Sequence, residues 1–343
     1  MGWLQQKKLM LILCIFVFVL AISGCGTVGQ NKASGSGEGK GDNNSSAKIQ
    51  YPMKAVTVVH GFKPGGGSDQ LSQLVQPFLE KVLKQQFVNE YKPGASGAIA
   101  CKEVMLSKPD GYTLTTLMAP TTILTALINP NAGYSMDGFV PIANIIFDPG
   151  VLLVSPDSKF QTIQDLLDYA RKNPGQLKLA DNGIGGDDWY NTTMIEKIAG
   201  LKFNHIPFEG DGPACQAAAG GHVDAASSNI SIAAPLIKGG KLKALAVYTE
   251  ERLSLIPETP TLKESGIDFV EGSYRGYMAP KGTPQEIIDI LADGMEKVIN
   301  DPTFKKACDD VNLQIKFMRG DAYKSFVDNK VKVLQQVVAE IKK

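Results

Sequence analysis

Glycine-rich turns that join apolar strand-like runs to helical patterns constrain the fold of this chain more than any other feature. The run AVTVVHGF (55–62) is almost continuously apolar, as expected for a strand buried on both faces, and PGGGSD follows it. After the glycines, Leu71, Val75 and Leu79 recur at helical spacing, while Pro77 inside this pattern predicts a kink or an early break. The order of strand, turn and helix then repeats. Such alternation predicts an α/β protein with a mostly parallel sheet.

The same order restarts later in the chain. GVLLVSP has the pattern of a buried strand, and Thr162 begins a predicted helix with Asp165 as its capping-box partner. A further strand-like run, FVEGSYRGYMAP, leads to C-terminal helices that complete the first unit. We therefore expect two α/β lobes, one formed by residues 49–148 and 272–343 and the other by residues 149–271. Ligands of such sheets bind at the carboxyl ends of the strands, so the predicted site is the cleft between the lobes.

The first 48 residues fall outside this pattern. MGWLQQKK is basic, and the apolar run LMLILCIFVFVLA has signal-peptide length, which predicts that residues 1–24 are removed on secretion. LAISGC resembles a bacterial lipobox, so Cys25 is expected to carry a lipid; the alternative is a cysteine that merely ends the signal peptide. With that cysteine, the Gly-, Ser-, Asn- and Lys-rich segment 25–48 is expected to be a flexible tether. The folded part is then extracytoplasmic and lipid-anchored to the cell membrane.

Charge and cysteine content exclude some classes of function. Lysine and arginine together number 35, as do aspartate and glutamate, so the net charge is zero and nothing favours nucleic-acid binding. The remaining cysteines, Cys101, Cys215 and Cys308, are odd in number and widely spaced. They predict small buried thiols, not a disulfide framework or a zinc site.

Motifs of enzyme active sites are missing from the sequence. It contains neither G-x-x-x-x-G-K-[ST] nor H-E-x-x-H, and GASGA is not the G-x-S-x-G turn of a nucleophile. The histidines His60, His205 and His222 are isolated, which favours structural roles. We expect no catalytic residue, metal or cofactor, although distant residues can converge on a site and an enzyme stays possible.

Several sequence blocks, in register along the folded part, resemble one family. They are YPMKAVTVV, PGGGSDQLSQLV, NEYKPGASGAIACKEVMLSKPDGYTL, FQTIQDLLDYARKNPGQLKLA, IPFEGDGPACQAAAGGHVDAASSN, GGKLKALAV, IPETPTLKESGID and YRGYMAPKGTPQEII. Together they resemble the substrate-binding proteins of tripartite tricarboxylate transporters, known as the TctC or Bug family.

This resemblance implies a type II periplasmic-binding-protein fold, with two α/β lobes that close on a ligand. It implies a monomeric solute-binding protein that captures a small carboxylate, such as a dicarboxylate, a tricarboxylate, an amino acid or an aromatic acid. The partner would be a membrane permease with a large and a small subunit, driven by ions. A surface sensor or co-receptor, or an enzyme built on the same fold, is the alternative.

The resemblance also implies which residues surround the ligand. They lie in three glycine turns and in the side walls between them: Gly65, Gly66, Gly67, Ser68, Asp69, Ala95, Ser96, Gly97, Thr121, Thr122, Gly183, Ile184, Gly185, Gly186, Asp187, Phe208, Gly210, Asp211, Ser228 and Asn229. In the first turn, glycine would allow backbone N–H groups to approach a carboxylate; the alternative is a tight turn that needs glycine only for its backbone angles.

Acidic residues depart from the family pattern at two places. DDWY, which begins with Asp187 and Asp188, stands where the family usually carries small polar residues or a histidine, and Asp211 adds another acid. One hypothesis is that these acids face the cleft and select a ligand with an amino group or another donor. The alternative is that the aspartates of DDWY cap the next helix and point to solvent.

Overall fold

The computed structural model of the protein describes residues 49–341. The predicted signal peptide, Cys25 and the predicted tether lie outside these residues and stay predictions. No helix within the described part combines the length and the apolarity that crossing a membrane requires.

Three parallel strands and three helices form the first half of the fold. They are β1 (Val56–His60), α1 (Gly67–Leu83), β2 (Phe87–Tyr91), α2 (Ala98–Met105), β3 (Thr113–Ala119) and α3 (Thr121–Ile128). β1 pairs in parallel with β2 on one side and with β3 on the other, as the sequence alternation predicts. No helix is predicted from the sequence at α3, where β-branched residues lower the helical propensity.

α1 continues through Pro77, so the predicted early break is wrong, while the predicted kink stays a prediction. A proline inside a helix removes one backbone hydrogen bond and costs about 3 kcal/mol. The opposing effect is burial, because Leu71, Val75 and Leu79 on the inner face are at most 1% exposed. Each such side chain contributes about 1.5–3 kcal/mol when buried, so packing of this face outweighs the loss at the proline.

One long strand joins the two halves, and the sequence analysis found only its end. β4 (Phe139–Val154) contains the predicted run GVLLV but begins well before it. Its first part pairs antiparallel with β9 (Gly272–Pro280), and its last part pairs antiparallel with β7 (Ala225–Asn229) and β8 (Lys243–Val247). Proline cannot donate to a strand ladder, and a register shift after Pro141 accommodates it, which explains why the sequence did not indicate a strand there.

The second half repeats the parallel arrangement. Its further elements are α4 (Ile163–Lys172), β5 (Lys178–Asp181), α5 (Asp187–Ala199), β6 (Asn204–Pro207), α6 (Asp211–Ala219) and α7 (Ile230–Lys238). β5 pairs in parallel with β6 and β7. The capping box at the start of α4 is confirmed, because Thr162 accepts from the Asp165 backbone N–H and Asp165 accepts from that of Thr162.

The chain then returns to the first half. The last elements are α8 (Gln285–Asn300), α9 (Pro302–Asp310), β10 (Gln314–Arg319) and α10 (Gly320–Ile341), and β10 pairs antiparallel with β4. On α10, Tyr323 and Val327 pack with core residues of the first half, whereas Leu334 and Val337 pack with a core that includes the second half.

The predicted small buried thiols are confirmed for Cys101, Cys215 and Cys308, which are all free and buried.

Candidate functional site

The three glycine turns named in the sequence analysis meet around one cavity of about 750 Å³. The first turn joins β1 to α1, the second precedes α2, and the third joins β5 to α5. Each follows the carboxyl end of a parallel strand, where the N–H groups of the next helix are exposed. The cavity therefore lies at the edge of the sheets where the fold class places a ligand.

Most of the predicted site residues line this cavity. They are Gly65, Gly66, Gly67, Ser68, Ala95, Ser96, Thr121, Gly183, Ile184, Gly186, Asp187, Phe208, Gly210, Asp211 and Asn229.

The other five predicted residues lie beside the cavity and do not form its wall: Asp69, Gly97, Thr122, Gly185 and Ser228. Thr122 Oγ1 accepts from the Met118 N–H at 3.0 Å, and Ser228 Oγ donates to the Asn229 carbonyl at 3.3 Å. These two hydroxyl groups are therefore engaged in holding the local backbone.

Asp69 shapes the first turn from behind. Its carboxylate accepts from the Gly65 N–H at 2.8 Å and from the Tyr91 hydroxyl at 2.6 Å. Burial acts to raise the pKa of Asp69, but the hydrogen bonds from Tyr91 and Gly65 outweigh it and lower the pKa. Gly65 has φ of 85°, a left-handed conformation that favours glycine, so this part of the turn needs glycine for its backbone angle.

Arg275, on β9, lines the cavity but was not among the residues predicted from the sequence to surround a ligand. Its guanidinium group is 1% exposed and lines the cavity. Nη2 lies 2.5 Å from Asp148 Oδ2, and Nη1 donates to Gln70 Oε1 at 2.8 Å. The sequence signal for this residue is a lone arginine inside a strand-like run. A charged side chain that is buried in a strand is stable only with a partner of opposite charge.

Gly67 is glycine because of Arg275. A Cβ atom at this position would lie 2.8 Å from Arg275 Cζ, which is closer than Cβ atoms approach other heavy atoms in folded proteins. The backbone φ at the neighbouring Gly66 is −81°, which any residue adopts. The space that a side chain at position 67 would need is therefore filled by the guanidinium group of Arg275, which comes from a distant part of the chain.

Two hydrogen-bond donors beside the first turn have no partner within residues 49–341. They are Arg275 Nε and the hydroxyl of Ser68, a residue that is 1% exposed. An unsatisfied buried donor is unfavourable by about 1–3 kcal/mol. This end of the cavity is thus rich in donors.

Acidic side chains line another part of the cavity. Asp187 accepts from Asn182 Nδ2 at 2.7 Å and from Asn229 Nδ2 at 2.8 Å, and the same two amides donate to Asp211 at 3.0 and 3.3 Å. Carboxylate oxygens of Asp187, Asp188 and Asp211 all lie within 4.8 Å of one another. We call the part of the cavity wall at Ser68 and Arg275 the donor end, and the part at Asp187 and Asp211 the acceptor end.

The aspartates of DDWY do not point to solvent, so that alternative is wrong. Asp187 is 4% exposed and lines the cavity, whereas Asp188 is fully buried behind it and accepts from Ser227 Oγ at 3.3 Å. Neither caps α5 by a side-chain hydrogen bond. Burial raises the pKa of Asp188 well above its ordinary range, and the charges of Asp211 and Asp187 raise it further.

The third turn is held by a buried charged group. Asp181, at the end of β5, accepts from the Gly183 N–H at 2.9 Å and contacts His205 Nδ1 at 2.7 Å. His205 Nε2 contacts Glu196 on α5 at 3.2 Å. Burial lowers the pKa of His205, but the bonds to Asp181 and Glu196 outweigh it and raise the pKa to about 9. The predicted structural role fits His205, which ties β5, β6 and α5 together below the turn.

The residues that line the cavity include no histidine and no cysteine. The arrangement can bind and orient a small polar molecule between two ends of opposite hydrogen-bonding character.

The sequence of the chain is similar to those of a known protein family. The sequence model described as "Tripartite tricarboxylate transporter family receptor" matches residues 71–342. A protein of Cupriavidus necator, "UPF0065 protein in gbd 5'region", is 31% identical over 294 residues, which cover 85% of this chain and 89% of that protein.

Two solved structures share the fold. One, described as a periplasmic transporter, is 29% identical with a TM-score of 0.78 and covers 84% of this chain and 97% of its own. The other is MatC from Rhodopseudomonas palustris with bound malate, which is 27% identical with a TM-score of 0.77 and covers 84% of this chain and 100% of its own. The expected type II periplasmic-binding-protein fold, with two α/β lobes and a cleft between them, is confirmed. The chain belongs to the tripartite tricarboxylate transporter receptor family, a class of solute-binding receptors.

Proposed function

We propose that this protein is an extracytoplasmic receptor that captures a small carboxylate-containing metabolite in the cleft between its lobes. It then delivers the metabolite to the membrane permease of a tripartite tricarboxylate transporter. The observation that carries this proposal is the convergence of three glycine turns and the buried Arg275 on one cavity. The malate in the related MatC structure supports a carboxylate as the ligand class. The family assignment does not favour the sensor or enzyme alternatives.

The donor end of the cavity suits a carboxylate. Ser68 Oγ and Arg275 Nε have hydrogen bonds to donate, and the N-terminus of α1 adds the positive end of its helix dipole. No side chain caps α1 at Gly66, so its first N–H groups are not satisfied by a capping side chain. A carboxylate placed here receives charge-assisted hydrogen bonds, which are about twice as strong as neutral ones.

The two lobes close on the ligand. We place one lobe at residues 49–148 and 272–343 and the other at 149–271, with β4 and β9 as the connections. Thr121 and Asp187 exchange hydrogen bonds between these lobes, and Ser231 Oγ donates to Gln70 Oε1 at 2.9 Å. These hydrogen bonds between the lobes hold the closed arrangement, and the cavity lies among them.

The lipid on Cys25 and the tether 25–48 keep the receptor, as a monomer, at the cell membrane near its permease. The relation to a structure described as a periplasmic transporter supports the extracytoplasmic location alone.

A thermal-shift panel of small carboxylates tests the proposal. A ligand at about one hundred times its Kd stabilises the folded state by about 2.7 kcal/mol, and we expect at least one acid to do so. Solution scattering with that acid should show a smaller radius of gyration, because the lobes close.

Arg275→Gln should abolish the shift, whereas Arg171→Gln, at an exposed arginine of α4, should retain it. Failure of every carboxylate to bind would overturn the proposal, and chemical turnover of a bound acid would favour the enzyme alternative.

A further inference from the structure

We propose that the cleft binds a zwitterion, a small molecule with an ammonium group beside its carboxylate, and that Asp187 and Asp211 hold the ammonium group. This inference rests on the proposed function and narrows its ligand class. The carboxylate binds at Ser68 and Arg275, and the ammonium group binds at Asp187 and Asp211, which line the same cavity.

The charged residues of the described cavity wall leave two acids without an ion pair. Five charged residues line the cavity: Lys63, Asp187, Glu209, Asp211 and Arg275. Lys63 pairs with Glu209 at 3.3 Å on the exposed rim, and Arg275 pairs with the buried Asp148.

Among the described residues, Asp187 and Asp211 have no ion-pair partner, although the charge of Arg275 acts on Asp211 and opposes the rise of its pKa. Within residues 49–341, no lysine, arginine or histidine forms an ion pair with Asp187, Asp188 or Asp211. A buried charge without a partner is strongly unfavourable, so a positively charged group of the ligand supplies the ion-pair partner that the described residues do not provide.

Hydrogen-bond acceptors near the two acids also lack donors in this part of the chain. Asn229 is 2% exposed and lines the cavity, and its amide oxygen has no donor within the described residues. The amide oxygen of Asn182 also lacks a donor among these residues. Unfilled acceptors are thus concentrated around Asp187 and Asp211, and an ammonium group offers three N–H donors.

The orientation of the amides favours an ammonium group over a metal ion. Asn182 and Asn229 direct their Nδ2 groups, not their oxygens, at the carboxylates. A hard cation prefers a shell of oxygen ligands, which would include the amide oxygens. Asp188 is the third member of the carboxylate cluster, but it lies behind the cavity wall and does not reach the ligand space.

A second carboxylate at the acceptor end would meet like charges. Burial and the charge of Asp187 already raise the pKa of Asp211, against the opposing charge of Arg275. Burial and, after it, the charges of Asp211 and Asp187 raise the pKa of Asp188 in the same way. A plain dicarboxylate therefore fits this cavity less well than an amino acid of the same length.

Matched pairs of probes test the inference by calorimetric titration of the full chain. The pairs are propionate and L-alanine, succinate and L-aspartate, and glutarate and L-glutamate, which differ within each pair by the amino group. We expect one amino acid to bind at least about tenfold more tightly than its partner, as one charge-assisted hydrogen bond provides. Asp187→Asn and Asp211→Asn should each remove most of that preference, while Asp168→Asn, at an exposed aspartate of α4, should keep it.

The outcomes separate the two proposals. If the acids without an amino group bind as tightly as the amino acids, the zwitterion inference fails and the carboxylate receptor stands. If no member of any pair and no other carboxylate binds, both fail. If amino-acid binding disappears with EDTA and returns with Ca²⁺ or Mg²⁺, the acidic cluster holds a metal ion and the inference is overturned. The comparison of wild-type affinities needs no variant, so misfolding of a variant does not affect the test.

Discussion

Gly67→Ala should destabilise the protein because the added Cβ meets a buried guanidinium group. The Cβ would lie 2.8 Å from Cζ and 2.9 Å from Nη2 of Arg275. A long side chain normally moves aside at little cost. Arg275 cannot, because it is 1% exposed and is held by Asp148 at 2.5 Å and by Gln70 at 2.8 Å.

The size of the effect follows from the bonds that must yield. Losing one hydrogen bond to a charged group costs about 1.5–3 kcal/mol, and leaving Asp148 without its partner costs about 3–5 kcal/mol. Alanine in place of glycine returns up to about 1 kcal/mol, because Gly67 is the first residue of α1. We therefore expect the free energy of unfolding to fall by about 1–4 kcal/mol, or at least about 2 °C in Tm.

Gly66→Ala is the matched control. Its Cβ would lie 3.4 Å from the Lys63 carbonyl oxygen, an ordinary contact, and its φ of −81° suits alanine. Urea unfolding of both variants, followed by circular dichroism, should show a loss within about 1 kcal/mol for Gly66→Ala and a clearly larger loss for Gly67→Ala. Equal stability of Gly67→Ala and the wild type would refute the reasoning, because Arg275 would then not be held against α1.

Two further predictions concern the third turn and the N-terminus. The pKa of His205 is raised to about 9, so its bonds to Asp181 and Glu196 contribute stability that is fully present below about pH 6.5 and is lost as the pH rises through about 9. Wild type should exceed His205→Gln by up to about 3 kcal/mol in unfolding free energy at about pH 6 and by much less at about pH 10; a difference that does not change with pH would contradict this. Cys25→Ala should abolish lipid labelling and release the receptor from the membrane fraction, and unchanged labelling and retention would contradict the predicted anchor.

Local sequence patterns were sufficient for the class of fold and for the position of the cleft. The run 55–62, the glycines that follow it and the helical spacing after them are short-range signals, and each predicted β1, the first turn or α1 correctly. The capping box at Thr162 is local in the same way, because both of its hydrogen bonds join residues three positions apart. The converging glycine turns follow from the topology of parallel strands, whose carboxyl ends meet at one edge.

Contacts between residues that are distant in sequence determined the features that local patterns did not predict. Packing of its inner face carries α1 through Pro77, and pairing with β9 extends β4 across both halves, so neither outcome is visible in a local pattern. Asp187 turns inward because Asn229 and Thr121 hold it.

The pairing of charges at the site also depends on contacts between residues that are distant in sequence. The sequence shows that Asp148 and Arg275 exist, but 127 positions separate them, and only the sheet brings the two charges together. A buried charge is stable only with a partner, and a partner chosen across such a distance is a property of the tertiary structure.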